Sequence, residues 1–458
     1  MCIVYVFGSE KWGGYETYNV VTPCRKRCRI FVSMERILLI GSGGREHALA
    51  KALANSASCE KLWVAPGSPG IAREAECVAI RVEDHVAVEK FCMKNNVSLV
   101  VIGPEQPLAG GLTDSLRAEN IYVFGPSRAA AQLETSKGFS KDFMQRYGIP
   151  TAPYRRFSSN QLAEALEYVA NHPVPVVVKY DGLAAGKGVV VAASTEEATQ
   201  AVSAMFNGAY GTDGTDGIVI EGFLEGEEAS VFAVCDGRDF ITLAPAQDHK
   251  RVGNGDTGKN TGGMGAYAPA EVVTADVLAK VRTQIIRPVL DGMFEEGMPF
   301  IGCLFCGLMI NNGDVHVVEF NARFGDPETQ AVLSVLSADV AALFASAARG
   351  AIDATTVQST HVGYACNVVL ASAGYPDSYD KGLPITGIDQ AEEDPFVTVY
   401  HAGTVNNNGV LCTNGGRVLG VTAVANTLRE AVDRSYMACE KIHFANKFHR
   451  TDIAAKAL

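Results

Sequence analysis

From residue 36 onward, short apolar runs alternate with amphipathic stretches. Ile37-Leu38-Leu39-Ile40 is too short for a helix and stops at Gly41-Ser42-Gly43-Gly44, so it reads as a buried strand. Beyond the glycines, Ala48, Leu49, Ala52 and Leu53 fall on one helical face. Further strands are expected at 61–64, 78–80, 99–102 and 121–124, several of them separated by helical segments, before Gly125-Pro126 closes the unit. Such alternation predicts a mostly parallel sheet with helices on its faces.

The pattern then changes. Between 127 and 336 the strands are longer and hairpin-like: 174–179, 189–192, 218–223, 229–235, and a pair within 300–320 turning at Asn311-Asn312-Gly313-Asp314. From 337 to 458 the chain starts helical, forms strands at 364–370, 397–401 and 417–421, and ends with a helix near 428–443. No repeat of fixed period is present. The expected fold class is α/β and α+β multidomain: an N-terminal parallel-sheet domain over 34–126, a central region over 127–336 and a small C-terminal mixed domain over 337–458.

Residues 1–33 form a leader outside this pattern. The leader contains Trp12-Gly13-Gly14-Tyr15 and the basic run Arg25-Lys26-Arg27-Cys28-Arg29, without helical or strand period. No basic segment precedes an apolar core, so it does not read as a secretory signal. As an organelle transit peptide it is poor in Ser and holds Glu10 and Glu16. The plainer reading is an upstream extension, or a start placed too early ahead of Met34; a cytoplasmic location is expected.

Composition narrows the function classes. The 458 residues, 47% hydrophobic and 20% charged, describe a globular chain long enough for several domains. A net charge of −12 is the wrong sign for a general phosphate-backbone binder, so no nucleic acid partner is expected and any phosphate chemistry must be local. No apolar run is long enough to span a bilayer, and no membrane partner is expected. The 12 cysteines read as reduced thiols, not a disulfide framework. Cys303 and Cys306 form a lone CxxC, but on a strand they point to opposite faces.

Four segments carry chemistry. In Gly41-Ser42-Gly43-Gly44-Arg45-Glu46-His47, glycines and free amides at a helix start favour an anion; the alternative is a tight strand–helix turn with no ligand. A dinucleotide site is disfavoured, because Val64 is followed by Ala65-Pro66-Gly67 where a ribose-binding acid would stand. Lys179 ends an apolar strand, with Asp181 as a candidate counter-ion. The loop Asp181-Gly182-Leu183-Ala184-Ala185-Gly186-Lys187-Gly188 follows; it lacks the Ser/Thr and helix of a P-loop but can fold over phosphates. Glu319 and Asn321 share one face of a strand end and offer oxygen ligands for Mg²⁺. Gln247-Asp248-His249-Lys250-Arg251 opens a second Gly-rich loop through Asp256, Lys259 and Gly265, expected to cover substrate. Residues 208–217 read as an ordinary loop, and His85, His172, His316, His361, His443 and His449 receive no role.

Together these segments resemble the ATP-grasp ligases, and among them the glycinamide ribonucleotide synthetases (phosphoribosylamine–glycine ligases). The resemblance runs from about 36 to 452 and rests on GSGGREHAL, GPEQPL, TSKGFSKDF, DGLAAGKGV, FLEGEEAS, QDHKRVGNGDTGKNTGGMGAY, EFNARFGDPETQ and TNGGRVL. It implies a central ATP-grasp domain and ATP-dependent ligation of glycine to 5-phosphoribosylamine through glycyl phosphate, within de novo purine synthesis. The implied co-substrate is ATP with Mg²⁺ or Mn²⁺; the implied partners are glycine and 5-phosphoribosylamine, and a monomer is expected. Carried over by motif, Lys137 and Lys179 bind ATP phosphates, and the loop bearing Asp181, Gly182, Gly186, Lys187 and Gly188 covers them. Glu221, Gly222, Phe223 and Leu224 form the adenine hinge, and Glu228 holds the ribose. Glu319 and Asn321 bind metal, while Arg251, Asp256 and Arg323 handle the reacting phosphate, glycine and phosphoribosylamine. Two positions depart from the pattern: Gly222 stands where a second Glu is common, and Lys259 where Pro is usual. The alternatives are another ATP-grasp carboxylate–amine ligase with a different acceptor, and a silent nucleotide-binding protein, against which Lys179, Glu319 and Asn321 argue.

Overall fold

The computed structural model describes residues 34–183, 188–208 and 217–458. The leader 1–33, and Gly186 and Lys187 of the first loop, lie outside the described residues. The first sheet has five parallel strands in the order Glu76–Cys77, Cys59–Pro66, Glu35–Gly41, Leu99–Ile102, Tyr122–Phe124. Its central strand is apolar on both faces because helices cover both, as expected for a parallel sheet. The strand expected at 78–80 sits instead at Glu76–Cys77. Val78 still donates to Val64 O (2.9 Å), but Ile80 then donates back to Val78 O (2.8 Å), and this tight turn peels the chain off the sheet edge.

A four-stranded antiparallel sheet runs Tyr154–Phe157, Ile218–Gly222, Val176–Tyr180, Val189–Ala192 and is backed by helices Leu162–Ala170 and Thr195–Phe206. It owns a separate core of Phe157, Val169, Val176, Val178, Val202 and Ile220. A second antiparallel sheet runs Phe240–Thr242, Glu227–Asp236, Ile301–Asn311, Asp314–Asn321, the last two joined by the expected Asn-Gly hairpin with Asn312 at φ 51°.

Side chains along these strands alternate between two large cores. Leu38, Ile40, Val231, Ala233, Leu304 and Cys306 lie in one. Ile37, Leu39, Phe232, Val234, Cys303 and Phe305 lie in the other. Cys303 and Cys306 are therefore parted by the sheet, and the described cysteines are free thiols. Both cores cross the boundary expected near 126, because the first sheet and the central hairpin bury their faces against shared neighbours.

The third sheet, in the order Gln247–Asp248, Gly265–Ala268, Tyr364–Ser372, Arg417–Ala425, Val397–His401, packs under helix Leu428–Lys441. Its first two strands come from the stretch assigned by pattern to the central region, since Gly265–Ala268 pairs along Tyr364–Ser372. The Gly-rich loop they bracket thus spans central and C-terminal elements. Among the described residues, no helix is long and apolar enough to cross a membrane.

Candidate active site

Helix Lys137–Arg146 sets one wall of the site. Ser136 caps it by accepting from Phe139 N (3.0 Å), and Phe143 and Met144 anchor its apolar side. Lys137 and Lys141, one turn apart, share one side of the helix. Lys137 Nζ donates to Gly182 O (3.0 Å), so the helix and the first loop are already in contact. Asp181 lies across the helix start, accepting from Gly138 N (3.0 Å) and Ser136 Oγ (3.0 Å). A Cβ on Gly138 would come within 2.4 Å of Asp181 Oδ2, so the close approach requires glycine there. Gly188 closes the loop by accepting from Tyr180 N (2.8 Å).

Lys179 enters from the Val176–Tyr180 strand and is 4% exposed. Its counter-ion is Glu221, at 3.0 Å, and not Asp181. Glu221 also pairs with Lys141 at 2.8 Å, forming a buried triad of two ammoniums and one carboxylate. Burial, followed by the Lys179 charge, lowers the Lys141 pKa to about 8 against the pull of Glu221. The Glu221 backbone lies between Tyr154 and Val177 in the sheet, and Gly222 N donates to Pro153 O (2.9 Å). Phe223, exposed, and Leu224 continue the chain out of the strand.

Lys179 Nζ also reaches Val318 O (3.0 Å), one residue before Glu319. Gly307 faces Glu319 across the hairpin, and a Cβ there would stand 3.3 Å from Glu319 Cγ. Burial alone would raise the Glu319 pKa, but Lys250, Lys179, Lys137 and Arg323 hold it below the usual carboxylate range. The Glu319 carboxylate and Asn321 amide make no side-chain hydrogen bond to a described residue. Among the described residues no group of three or more acidic, His or Cys side chains could enclose a metal. That donor set fits a cation such as Mg²⁺, which takes one or two protein oxygens and completes its shell with phosphate and water.

Lys250 was missed as a site residue by sequence reasoning, although it stands in the quoted QDHKR segment. It pairs with Glu228 at 2.6 Å. Burial opposes its charge, yet Glu228, Asp248 and Glu319 raise its pKa well above the ordinary value. Burial, with Glu328, Glu228 and Glu319 nearby, pushes Asp248 up to about 7, while Lys250 opposes the rise.

Arg323 joins the site to the first domain. It lies 2.9 Å from Glu134 and 3.3 Å from Glu105, whose second basic neighbour is Arg45 at 3.9 Å. Burial works against its charge, and Glu134, Glu105, Glu328 and Glu319 raise its pKa. Arg45 itself donates to Glu46 (2.5 Å) and Phe324 O (3.1 Å), while Glu46 accepts from Gly43 N (2.7 Å). The first Gly-rich turn therefore gives one of its own amides, Gly43 N, to Glu46.

The charges of Lys137, Lys179, Lys250 and Arg323 thus all act on the Glu319 carboxylate, with Glu221 paired to Lys179 and Glu228 to Lys250. Arg251 and Asp256 point elsewhere. The Arg251 side chain donates to Gly258 O (2.7 Å) within its own hairpin. Asp256, at φ 54°, pairs with Arg450 (2.9 Å) and Lys456. Glu105, Glu134 and Lys141 were likewise missed. Lys141 left a local signal in its spacing of four from Lys137, and Glu105 stands in the quoted GPEQPL segment.

Known proteins resemble this chain over most of its length. The chain matches the family models of the phosphoribosylglycinamide synthetase N domain over residues 35–134, the ATP-grasp (A) domain over 135–329 and the C domain over 365–456. It is 50% identical over 422 residues to a phosphoribosylamine–glycine ligase of Mesorhizobium japonicum, covering 92% of this chain and 98% of that one. It is 48% identical over 422 residues to a chloroplastic phosphoribosylamine–glycine ligase of Arabidopsis thaliana, covering 90% of this chain and 79% of the relative. The crystal structure of a phosphoribosylamine–glycine ligase from Thermotoga maritima superposes with a TM-score of 0.79 at 34% identity, over 92% of this chain and all of the other.

Proposed function

The chain belongs to the phosphoribosylglycinamide synthetase family, and from that premise we propose that it joins glycine to 5-phosphoribosylamine at the expense of ATP. The products are glycinamide ribonucleotide, ADP and phosphate, and the step belongs to purine biosynthesis. The observation that supports the reading at residue level is the buried Lys179, which pairs with Glu221 (3.0 Å) and reaches Val318 O (3.0 Å) beside Glu319, where the charges of Lys250, Lys179, Lys137 and Arg323 hold the carboxylate below its usual range.

A carboxylate is a poor acyl donor because its oxygen leaves badly. A carboxylate oxygen of glycine attacks the γ-phosphorus and ADP departs, so that oxygen becomes part of a phosphate leaving group. The amine of phosphoribosylamine then attacks the carbonyl carbon of glycyl phosphate, and phosphate departs carrying that oxygen. Lys137 and Lys179 hold the phosphates of ATP in this scheme, and the loop bearing Asp181, Gly182, Gly186, Lys187 and Gly188 folds over them. The hinge from Glu221 through Gly222, Phe223 and Leu224 receives adenine through backbone groups, and Glu228 takes the ribose hydroxyls. Glu319 and Asn321 would hold the divalent cation, Mg²⁺ or Mn²⁺, both of which take oxygen donors. When bound, that cation screens the charge of the transferring phosphoryl group. Arg323, fixed by Glu105 and Glu134, faces the phosphate-bearing acceptor, and Lys250 neutralises charge between it and Glu319. Arg251 and Asp256 shape the acceptor loop. Substrates are brought together and shielded from water, which glycyl phosphate requires.

Residues 1–33 precede the part of the chain matched by the family models. The chain is proposed to act as a cytoplasmic monomer, and fusion of 1–33 to a reporter tests organelle import. The decisive assay is ADP release with glycine, phosphoribosylamine, both and neither. Sustained turnover only with both is expected; equal turnover with a different amine acceptor would overturn the substrate assignment.

A further inference from the structure

Arg450 is 1% exposed and heads the fully buried side chains by size. Its guanidinium forks onto both oxygens of Asp452 (2.7 and 2.8 Å) and also donates to Arg251 O (3.0 Å) and Asp256 Oδ1 (2.9 Å). Asp452 accepts in turn from Gly255 N (2.7 Å). Thr451 and Asn254 exchange two hydrogen bonds of 3.0 and 2.7 Å, and Lys456 takes the second oxygen of Asp256. Ala454 N donates to Nε2 of His249 (3.2 Å), whose pKa burial lowers to about 4, so the ring is a neutral acceptor at ordinary pH. The stretch from His249 to Asp256 is therefore fastened at five residues to the short segment 450–456.

Two lysine- or arginine-borne charges meet two aspartates here, so the cluster is balanced. Arg450 is buried while its partners Asp256, Asp452 and Lys456 keep some contact with solvent, and a fork-shaped donor held this way fixes direction. What it directs is the Lys250-Arg251 corner that opens the acceptor loop. We propose that Arg450 is a positioning residue for the acceptor side of the site, and that segment 450–456 holds the 249–256 stretch in its working shape before substrates arrive. The inference rests on the ligase reading given above and assigns a task to a residue some two hundred positions away from the loop it serves.

The test uses the full chain with Arg450→Lys, which keeps charge and loses the fork, and Asn254→Ala, an exposed change that leaves the core untouched. Arg450→Lys should raise KM for glycine or phosphoribosylamine by about tenfold while the ATP dissociation constant stays within about twofold. Asn254→Ala should move the same KM by about threefold. In hydrogen exchange, amides of 251–260 should lose protection by about tenfold in Arg450→Lys while those of the ATP-side strands are unchanged. Unchanged exchange at 251–260, or activity falling only in step with the folded fraction at constant KM values, overturns the proposal. Wild-type protein run alongside separates the two readings: no turnover with glycine plus phosphoribosylamine would sink the ligase assignment, whereas the exchange result decides Arg450 regardless.

Discussion

The Lys179 ammonium lies 3.0 Å from Glu221 Oε1, with both side chains about 5% exposed or less. Glu221 is shared with Lys141, so a single carboxylate carries two buried cations. Removing it leaves both uncompensated. Glu221→Gln should lower stability by about 3–5 kcal/mol. It should also weaken ATP binding, because Lys179 loses the partner that sets its direction. Urea denaturation and direct ATP titration check this; an unchanged midpoint would mean that the triad is not formed in solution.

Glu319→Ala is expected to leave the fold intact and reduce turnover by at least about a hundredfold, since a charged oxygen ligand next to the reacting phosphates is lost. The comparison to make is turnover across a magnesium titration. Near wild-type rates at low magnesium would remove Glu319 from the metal assignment.

Glu228 holds Lys250 at 2.6 Å and is assigned to the ribose. Glu228→Ala should therefore weaken ATP by about tenfold, roughly one charged hydrogen bond. Against 2′,3′-dideoxy-ATP the same substitution should make little difference. An equal loss for both nucleotides would place Glu228 away from the sugar.

Two neutral histidines give the fold an acid-sensitive joint. His47 Nδ1 accepts from His401 N (2.8 Å), with the His47 ring edge-on to Tyr400 at 5.4 Å. Burial, then His401, Lys51 and Arg73, lowers His47 to about 3; burial and then Arg73 lower His401 to about 4. The unfolded chain binds these protons near pH 6.5 and the folded one does not. Stability is thus complete above 6.5 and falls with acid, by up to about 1.4 kcal/mol per pH unit for each ring, until pH 4 for His401 and 3 for His47. His47→Asn, which keeps an acceptor, should flatten the slope of urea midpoint against pH between 6.5 and 5. An identical slope would exclude His47 as a contributor.

Lys259 pairs with Asp377 at 2.8 Å, but their side chains are 67% and 62% exposed. Lys259→Ala should change stability by no more than about 1 kcal/mol, and less in high salt. A thermal scan at two ionic strengths measures it. A large, salt-independent loss would show that the residue supports the loop in some way other than through its charge.

Much of the architecture follows from local pattern. The Val189–Ala192 and Val397–His401 strands match the apolar runs, and Asn-Gly marks the hairpin between Ile301–Asn311 and Asp314–Asn321. Glu319 and Asn321 were visible because strand spacing puts them on one face. The counter-ions were not: Asp181 is two residues from Lys179 in sequence, yet Glu221 meets it through pairing of Val177 with Glu221 on a neighbouring strand. Pairing across sheets sets such contacts, and a single chain read locally contains no register. Arg450 is the extreme case, since the loop it holds lies 194 to 199 residues earlier.

The strands Glu227–Asp236 and Ile301–Asn311 send alternate side chains into two different cores, as Glu35–Gly41 also does. A wall common to two rooms cannot fall for one and stand for the other. Regions that the family models treat as separate N and ATP-grasp domains should therefore melt as one cooperative block in calorimetry, while the lobe around Val176–Tyr180, with its private core, should give a transition of its own.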